Sequence, residues 1–195
     1  MTSLLIGCGN LGEIILKGLL KKNKKVIVLE KSKKLIQKLV NKYKETKFYD
    51  NIHKINWDNI VYLMICIKPK DSKRVLEEIK YFYEKKHVII SFVAGLETKA
   101  ISQTISVNCK IVRLMPNIFI SSNKSSTAIL TKNINHNQKN QVVKDLDNFG
   151  KIIWIENEKK FDFFTAMFGG GPAYLFFILE CFNKLIIKQG FNKND

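Results

Sequence analysis

With 195 residues and a hydrophobic share of 46%, the chain is long enough for one complete domain and part of a second, and this composition excludes bulk disorder. The net charge of +16 is typical of nucleic-acid binders, but Arg, the usual residue for reading base edges, occurs only at Arg74 and Arg113, and the lysines form no single stripe. We therefore expect no nucleic-acid partner, although a binder driven by this charge stays open as an alternative.

The cysteines and the apolar runs bear on redox state and compartment. Cysteines at positions 8, 66, 109 and 181 form no C-x-x-C pair, and no histidine spacing suits zinc, so we predict reduced thiols and no metal site. The N-terminus lacks the basic region of a signal peptide. The longest late apolar run, at 173–179, is shorter than a membrane span. These features predict a soluble cytoplasmic protein with no membrane partner.

The first twelve residues carry the motif around which the chain is organised. An apolar run at 4–6 predicts a buried strand, glycines at 7, 9 and 12 follow in G-x-G-x-x-G spacing, and 13–20 predicts a helix. Gly7 permits the tight turn, Gly9 lets the backbone approach a pyrophosphate, and Gly12 lets the helix pack closely on the sheet. Because a helix N-terminus attracts anions, this arrangement predicts a dinucleotide site.

Further strands and helices alternate along the chain. Apolar runs predict strands at 26–29, 61–67, 88–92, 111–114, 128–130 and 151–155, with a weak one at 48–49. Helical spacing predicts helices at 35–43, 71–83, 98–105 and 137–149; Asp71 is expected to cap the second of these, and Gly150 to stop the last. This alternation is typical of an α/β fold with a doubly wound, mostly parallel sheet.

Glu30 ends the second strand, eighteen positions after Gly12. In a dinucleotide-binding unit this is where the adenosine ribose is recognised, and an acid there usually accepts the ribose hydroxyls of NAD. Lysines at 31, 33 and 34 favour the 2′-phosphate of NADP instead. The two signals conflict. We favour NADPH because three cations outweigh one acid if the Glu30 side chain can swing out, and NADH stays open.

The composition of the chain changes near Glu156. Pro172 suits the first turn of a helix, and residues 173–189 are strongly apolar with one acid, Glu180. A helix that is apolar nearly all round must be buried against a large surface, and no later residue up to Asp195 supplies one. We therefore predict a dinucleotide-binding domain at 1–155 and the beginning of a helical domain at 156–195.

Five motifs, taken in order along the chain, resemble the pyrroline-5-carboxylate reductase family. They are residues 6–12, Ile67-Lys68-Pro69, residues 91–95, Arg113-Leu114-Met115-Pro116-Asn117 and residues 165–174. The Arg-x-Met-Pro-Asn and Gly-x-Gly-Pro-Ala-Tyr elements are more specific than the opening glycines. Members of this family reduce the cyclic imine 1-pyrroline-5-carboxylate to L-proline with NADPH or NADH. The resemblance implies a Rossmann domain followed by an all-helical dimerisation domain, and hence a homodimer or higher homo-oligomer.

The resemblance also implies roles for residues of this chain. Ile6, Gly7, Cys8, Gly9, Asn10, Leu11 and Gly12 would hold the pyrophosphate, and Glu30 and Lys31 would meet the adenosine ribose. Cys66, Ile67, Lys68, Pro69, Ala94 and Gly95 would line the nicotinamide side, with Asn117 at the mouth of the crevice. Glu158, Gly169, Gly170 and Gly171 would lie close to the substrate.

The chain departs from the family in two places. Gly170 stands where a serine is usual, and the later helices, which include a Thr/Gly-rich segment at the substrate, are absent from these 195 residues. We therefore expect this chain alone to be weakly active or inactive.

No residue is predicted to be catalytic. A protonated imine is already electrophilic, so holding it over the nicotinamide in a water-poor site supplies most of the rate. His53, His87 and His136 form no catalytic or metal cluster.

Three positions, and the function itself, also have alternative interpretations. Lys68 is also explained as a solvated strand end, Arg113 as the partner of a structural carboxylate, and Glu180 as a charge on a helix face. Two further functions stay open: an NAD(P)-dependent oxidoreductase acting on another substrate, such as a 2-hydroxy acid or a flavin-type acceptor, and a dinucleotide-binding segment without catalysis.

Overall fold

A single sheet runs through the computed structural model, which describes residues 2–146 and 149–192. Its strands are β1 (Thr2–Ile6), β2 (Lys25–Leu29), β3 (Lys47–Tyr49), β4 (Ile60–Ile65), β5 (Val88–Ser91), β6 (Lys110–Met115), β7 (Ser126–Lys132) and β8 (Lys151–Trp154). Their order across the sheet is β3-β2-β1-β4-β5-β6-β7-β8. Neighbouring strands are parallel except β6 and β7. The predicted doubly wound, mostly parallel sheet is confirmed.

Helices and short turns connect these strands. The α-helices are α1 (Asn10–Lys21), α2 (Lys33–Lys42), α3 (Ser72–Lys80), α4 (Thr98–Thr104), α5 (His136–Asp145), α6 (Glu158–Phe164) and α7 (Gly171–Lys188). Short 3-10 turns lie at Ile52–Lys54, Pro69–Asp71 and Ile118–Ser122, and a π-helical turn at Thr165–Gly169 joins α6 to α7.

The core consists of two layers, one on each face of the sheet. Successive side chains of a strand point to opposite faces. Leu5 and Met64 accordingly pack with residues of α1, α2 and α5, whereas Leu4 and Leu63 pack with residues of α3 and α4. All four are fully buried. The strand order reverses between β1 and β4, and ligands of such sheets bind at that point, beyond the carboxyl ends of the strands.

Two predicted element ends differ from the structure near the loop after β4. The strand ends at Ile65 instead of residue 67, and Pro69 begins a 3-10 turn. Asp71 occupies the N-cap position of α3 but makes no capping hydrogen bond. Its carboxylate instead accepts a hydrogen bond from Lys31, 3.0 Å away. The capping role predicted for Asp71 is therefore wrong, because a cation from another loop binds the carboxylate.

The end of α5 also differs from the prediction. The helix ends at Asp145, and part of the region predicted to extend it to residue 149 lies outside the described residues. Gly150 has φ of +83°, and a Cβ there would lie 2.1 Å from the carbonyl oxygen of Ser125. Glycine is required at this position by the close approach of two backbone segments.

Helix α6 was missed by the sequence analysis. Its N-cap is Asn157, whose side chain accepts a hydrogen bond from the backbone N–H of Lys160. Phe161 and Phe164 are buried in a cluster with Met115 of β6 and residues of β7. The boundary predicted at 155/156 thus precedes a helix that packs on the sheet, and the helix that leaves the sheet begins at Gly171.

The side chains of α7 are exposed. Pro172 is the one buried residue between Gly171 and Lys188, all of which are described. The exposed large apolar side chains of this helix are Tyr174, Leu175, Phe176, Phe177, Ile178, Leu179, Phe182, Leu185, Ile186 and Ile187. We call this set the α7 apolar surface. The composition of residues 173–189 predicts an apolar helix that needs a covering partner, and these exposures agree with that prediction.

The helical stretch Glu158–Lys188 is long and apolar enough, by length and composition, to cross a membrane. Its 31 residues exceed the run at 173–179 from which a membrane span was excluded. The absence of a membrane partner therefore stays a prediction.

Candidate functional site

The glycine turn after β1 contains two glycines that the fold requires and one that faces open space. Gly7 has φ of +86°, and a Cβ there would lie 2.5 Å from the carbonyl oxygen of Cys66. A Cβ on Gly12 would lie 2.3 Å from the carbonyl oxygen of Gly7. A Cβ on Gly9 would meet no atom within 4 Å. The backbone at Gly9 is therefore open to a ligand beside the N-terminus of α1, where the helix dipole favours negative charge.

The turn opens into a cleft of about 590 Å³ at the carboxyl ends of β1, β2 and β4. Its lining includes eight of the predicted cofactor residues: Ile6, Gly7, Gly9, Glu30, Lys31, Cys66, Ile67 and Lys68. The structure therefore brings together residues from three separate loops. Lys68, which was also explained as a solvated strand end, is exposed at this lining.

The carboxylate of Glu30 lies against the glycine turn. One oxygen accepts a hydrogen bond from the backbone N–H of Cys8 at 2.8 Å, and the other accepts one from Ser32 N–H at 2.9 Å. Glu30 is 8% exposed. Two backbone donors thus hold its charge at the end of β2, beside the backbone of Gly9, and help to keep the turn in place.

Lys31 and Asp71 form an ion pair between two of the loops that line the cleft. The hydrogen bond from Lys31 holds the pKa of the Asp71 carboxyl below its usual range. Both side chains reach solvent, so the pair contributes little to stability. It places one cation and one anion beside Glu30.

The cleft also contains residues that the sequence analysis did not identify. Asp50, Asn51, His53 and Arg74 belong to the lining. The first three follow β3 directly, and Asn51 accepts a hydrogen bond from the backbone N–H of His53. The weak strand predicted at 48–49 could have identified these residues. It is parallel to β2, so the residues that follow it lie at the same edge of the sheet as the carboxyl ends of β1 and β2.

The two thiols of the turn region are unsuited to nucleophilic chemistry. Burial raises the pKa of Cys8 to about 12 and that of Cys66 to about 12. Both thiols are therefore protonated at neutral pH. No group of residues in the described part of the chain has the composition of a metal site.

The remaining predicted cofactor residues lie outside the lining of this cleft. Cys8 is buried in the turn, Asn10 and Leu11 begin α1, and Gly12 is buried in the first turn of that helix. Pro69, Ala94 and Gly95 are exposed in the loops after β4 and β5, and Gly95 has φ of +72°.

Asn117 borders a second cleft, of about 370 Å³, with Met167, Phe168, Gly171, Pro172, Tyr174 and Leu175. Its side-chain oxygen accepts a hydrogen bond from the N–H of Phe119, and its own N–H donates to the hydroxyl of Ser125. A Cβ on Gly169 would lie 3.7 Å from the side chain of Met115. The Arg-x-Met-Pro-Asn segment and the glycine-rich segment therefore meet in this structure.

Gly170 is crowded by an aromatic side chain. A Cβ there would lie 2.8 Å from the hydroxyl of Tyr174. A larger residue at this position needs the tyrosine ring to move.

Glu158 lies in a different place from the glycine-rich segment. As the first residue of α6 it is eleven positions before Gly169, which corresponds to about 16 Å of helix. Its carboxylate accepts hydrogen bonds from the N–H and the hydroxyl of Thr98, both at 2.7 Å, and pairs with the guanidinium of Arg113. Arg113 is thus the partner of a carboxylate. Contact between Glu158 and a substrate stays a prediction.

Comparisons with known proteins agree with this geometry. A family model described as "NADP oxidoreductase coenzyme F420-dependent" matches residues 4–95. Pyrroline-5-carboxylate reductase from Aquifex aeolicus is 32% identical over 136 residues, which are 69% of this chain and 50% of that protein. The enzyme of the same name from Corynebacterium melassecola is 30% identical over 198 residues, covering 98% of this chain and 71% of the relative. The chain thus spans between half and about 70% of the length of these relatives.

Solved structures show the same fold. The 1-pyrroline-5-carboxylate reductase of Streptococcus pyogenes superposes with a TM-score of 0.87 at 27% identity, covering 100% of this chain and 73% of that one. The Plasmodium falciparum pyrroline carboxylate reductase, solved with NADP bound, superposes with a TM-score of 0.80 at 24% identity, covering 100% and 72%.

Proposed function

The chain belongs to the pyrroline-5-carboxylate reductase family, and we propose that it binds NAD(P)H and serves in the reduction of 1-pyrroline-5-carboxylate to L-proline. The observation that carries the proposal is the open backbone at Gly9, which faces the cleft at the carboxyl ends of β1, β2 and β4. A pyrophosphate needs this approach, and a side chain would fill it. The residues present therefore fit a dinucleotide.

Reduction of the substrate adds a hydride to the imine carbon and a proton to nitrogen across the C=N bond. When bound, NAD(P)H supplies the hydride. In this proposal the turn from Ile6 to Gly12 holds the pyrophosphate, and Glu30 and Lys31 bind the ribose. The nicotinamide is lined by Cys66 to Pro69, Ala94 and Gly95, with Asn117 at the mouth of the crevice, and Gly169 to Gly171 approach the substrate.

The residues of this chain contribute position and exclusion of water. An iminium nitrogen that already carries a proton needs no general acid for hydride addition at carbon. The protonated thiols of Cys8 and Cys66 offer no competing nucleophile beside the cleft. We assign no catalytic acid or base.

We favour NADPH over NADH as the cofactor. The Glu30 carboxylate does not swing out, because two backbone N–H groups hold it at the end of β2, so the preference for NADPH rests on the lysines outweighing its charge. Lys31 lines the cleft, where it pairs with Asp71, and Lys33 and Lys34 are exposed in the first turn of α2, directly after the loop that follows Glu30. A 2′-phosphate is dianionic near neutral pH and favours such a cluster of cations.

The α7 apolar surface supports assembly with a second copy of the chain. We propose that residues 1–155 bind the cofactor and that 156–195 begin a helical domain whose pairing between copies covers α7. The proposed partners are the small-molecule imine and a second copy of the chain, in the cytoplasm, with no nucleic acid and no membrane.

The test measures binding and turnover separately. The purified chain is titrated with NADPH and with NADH by fluorescence, and proline formation is then measured over a range of protein concentrations. We expect binding in the micromolar range or tighter and at most a weak specific activity, since the chain spans only part of the length of its relatives. A rise of that activity with protein concentration would show that covering α7 contributes to it. Failure to bind either dinucleotide would refute the proposal. Binding without proline formation at any concentration would favour a dinucleotide-binding segment without catalysis.

A further inference from the structure

The carboxylate of Glu158 lies where three elements meet. Glu158 begins α6, and one of its oxygens accepts both hydrogen bonds from Thr98, the first residue of α4. The other oxygen pairs with the guanidinium of Arg113 on β6. These three residues, which we call the Glu158 junction, are separated by 15 and 45 positions in the chain, so the tertiary fold alone brings them together.

Arg113 depends on α6 for its contacts. Its side chain is 1% exposed, and its guanidinium lies 4.2 Å from the centre of the Phe161 ring and 3.9 Å from a carboxylate oxygen of Asp162. Glu158, Phe161 and Asp162 are spaced i, i+3, i+4 and so share one face of the helix. Nε and Nη2 of Arg113 have no hydrogen-bond partner. Glu158 therefore supplies most of the compensation for a buried positive charge.

The Glu158 junction connects the region proposed to bind the nicotinamide with the region proposed to bind the substrate. Thr98 follows Gly95 by three residues, so its hydrogen bonds hold the end of the loop after β5. Arg113 precedes Met115 by two residues, and Met115 contacts the position of Gly169. The junction thus links the loop proposed for the nicotinamide to the segment proposed for the substrate.

We propose that Thr98, Arg113 and Glu158 act as a positioning unit, which sets the Ala94–Gly95 turn relative to the Gly169–Gly171 segment so that the nicotinamide is held in one orientation. Glu158 is then a positioning residue and does not contact the substrate. This inference rests on the proposed function, because it assigns the Ala94–Gly95 turn to the nicotinamide.

The test compares two ligands that differ at the nicotinamide end. NADPH carries the nicotinamide, whereas 2′-phospho-ADP-ribose lacks it and binds only through the pyrophosphate and adenosine regions. We expect Glu158→Gln to weaken NADPH binding about tenfold, the scale of one lost charge-assisted hydrogen bond, while the affinity for 2′-phospho-ADP-ribose changes less than about twofold. The matched control is Glu156→Gln, which alters an exposed carboxylate that pairs with Lys160 and should leave both affinities unchanged.

A second pair of variants covers the case in which Glu158→Gln does not fold. Thr98→Val removes the hydroxyl bond and retains the size of the side chain, and we expect it to weaken NADPH binding selectively. Thr98→Ser retains both hydrogen bonds and should restore the wild-type affinity. Equal losses for both ligands, or no loss in Glu158→Gln and Thr98→Val, would overturn the positioning role. A wild-type chain that binds neither ligand would instead refute the proposed function and the positioning role with it.

Discussion

At the scale of single residues, the proposed cofactor site depends on how much space surrounds each glycine of the turn after β1. Gly7 and Gly12 leave no room for a Cβ because carbonyl oxygens lie against them, whereas Gly9 has open space before it. The same motif therefore contains residues required by the fold and a residue available to the ligand. Substitutions at these positions should separate stability from binding.

Gly9→Val is expected to abolish binding with little loss of stability. Its φ of −66° is open to any residue, and its Cβ would point into free space, so the fold tolerates the change. The added methyl groups occupy the path of the pyrophosphate, and we expect NAD(P)H affinity to fall by about 100-fold or more. The measurements are a cofactor titration and a urea melt.

The control for this change is Gly12→Ala. Its Cβ would lie 2.3 Å from the carbonyl oxygen of Gly7, so this smaller substitution should lower the free energy of unfolding by about 1–3 kcal/mol. Unchanged cofactor affinity in Gly9→Val would contradict the assignment of the turn.

Glu30→Gln is expected to shift cofactor preference towards NADPH. The change removes a negative charge near the 2′ position of the ribose. The repulsion between that charge and a 2′-phosphate at a partly exposed site costs about 1–2 kcal/mol, so the ratio of NADPH affinity to NADH affinity should rise about tenfold. Both absolute affinities should fall, because the backbone N–H groups of Cys8 and Ser32 lose a charged acceptor. Glu45→Gln, an exposed change at the opposite edge of the sheet, is the control. An unchanged ratio would show that Glu30 does not face the ribose.

At the scale of elements, the late helices differ in how they meet the sheet. Helix α6 buries Phe161 and Phe164, and the Glu158 junction holds its first turn. Helix α7 buries only Pro172 among its residues. The composition changes near residue 156, but the contacts with the sheet end later, at the π-helical turn.

Two truncations should therefore behave differently. A chain ending at Gly170 retains the buried phenylalanines and should be more soluble than the 195-residue chain, with unchanged NAD(P)H affinity. A chain ending at Lys159 loses both rings and should be less stable by about 3–6 kcal/mol, from about 1.5–3 kcal/mol for each buried side chain. Urea midpoints measure the difference in stability, and the soluble fraction measures the difference in solubility. Equal stability of the two truncated chains would contradict the packing of α6.

Helix α5 is held to the sheet by the carboxylate of Asp145, and the free energy of unfolding should depend on the ionisation of this group. Asp145 is 5% exposed and accepts hydrogen bonds from Lys24 at 2.6 Å, Tyr62 at 2.9 Å and Gln141 at 3.2 Å. Burial alone would raise its pKa, but these bonds outweigh burial and hold the pKa below the ordinary value. Its contribution is then present above the unfolded pKa of about 3.9 and is lost as the pH falls through the lower folded pKa.

Asp145→Asn should reveal this dependence. We expect it to lower the free energy of unfolding by about 1–3 kcal/mol at pH 7, because three donors lose a charged acceptor. The difference from the wild type should begin to shrink as the pH falls below about 4, because the carboxyl of the unfolded chain then binds a proton, and it should vanish only below the lower pKa of the folded state. Denaturant midpoints between pH 7 and pH 3 provide the measurement, with Tyr62→Phe as the control that keeps the charge. A difference that does not change with pH would contradict the assigned ionisation.

At the scale of the whole molecule, the α7 apolar surface dominates how the chain behaves in solution. A patch of ten large apolar side chains on one helix is far larger than scattered surface hydrophobics and marks an interaction surface. The net charge of +16 opposes association through long-range repulsion, so salt should promote self-association.

Replacing Phe177 and Phe182 together with lysine should reduce this association. Both side chains are more than half exposed, so the fold and the NAD(P)H affinity should be retained while the population shifts towards monomer. Sedimentation velocity at low and moderate salt is the measurement. Tyr81→Lys, an exposed aromatic at the end of α3, should leave association unchanged. Equal association of the double variant and the wild type would show that α7 is not the contact surface.

Much of the sheet was predictable because its signals are local. Central parallel strands are buried on both faces, so each reads as a short run of β-branched or apolar residues, as at Ile60–Ile65 and Val88–Ser91. The glycine spacing at 7, 9 and 12 is also local, since it records the steric demands of one turn. The sequence by itself thus determined the fold class, the order of the strands along the chain and the place of the glycine turn.

The tertiary structure alone decided which side chains meet. Asp71 binds Lys31 instead of capping its own helix, Glu30 turns towards Cys8, and Glu158 joins Arg113 and Thr98. Helix α6, seven residues long, buries only two rings and so offers too few positions for a periodic pattern. Periodicity encodes the conformation of neighbouring residues, whereas these contacts depend on how distant loops are packed at the same edge of the sheet, and no spacing along the chain records that arrangement.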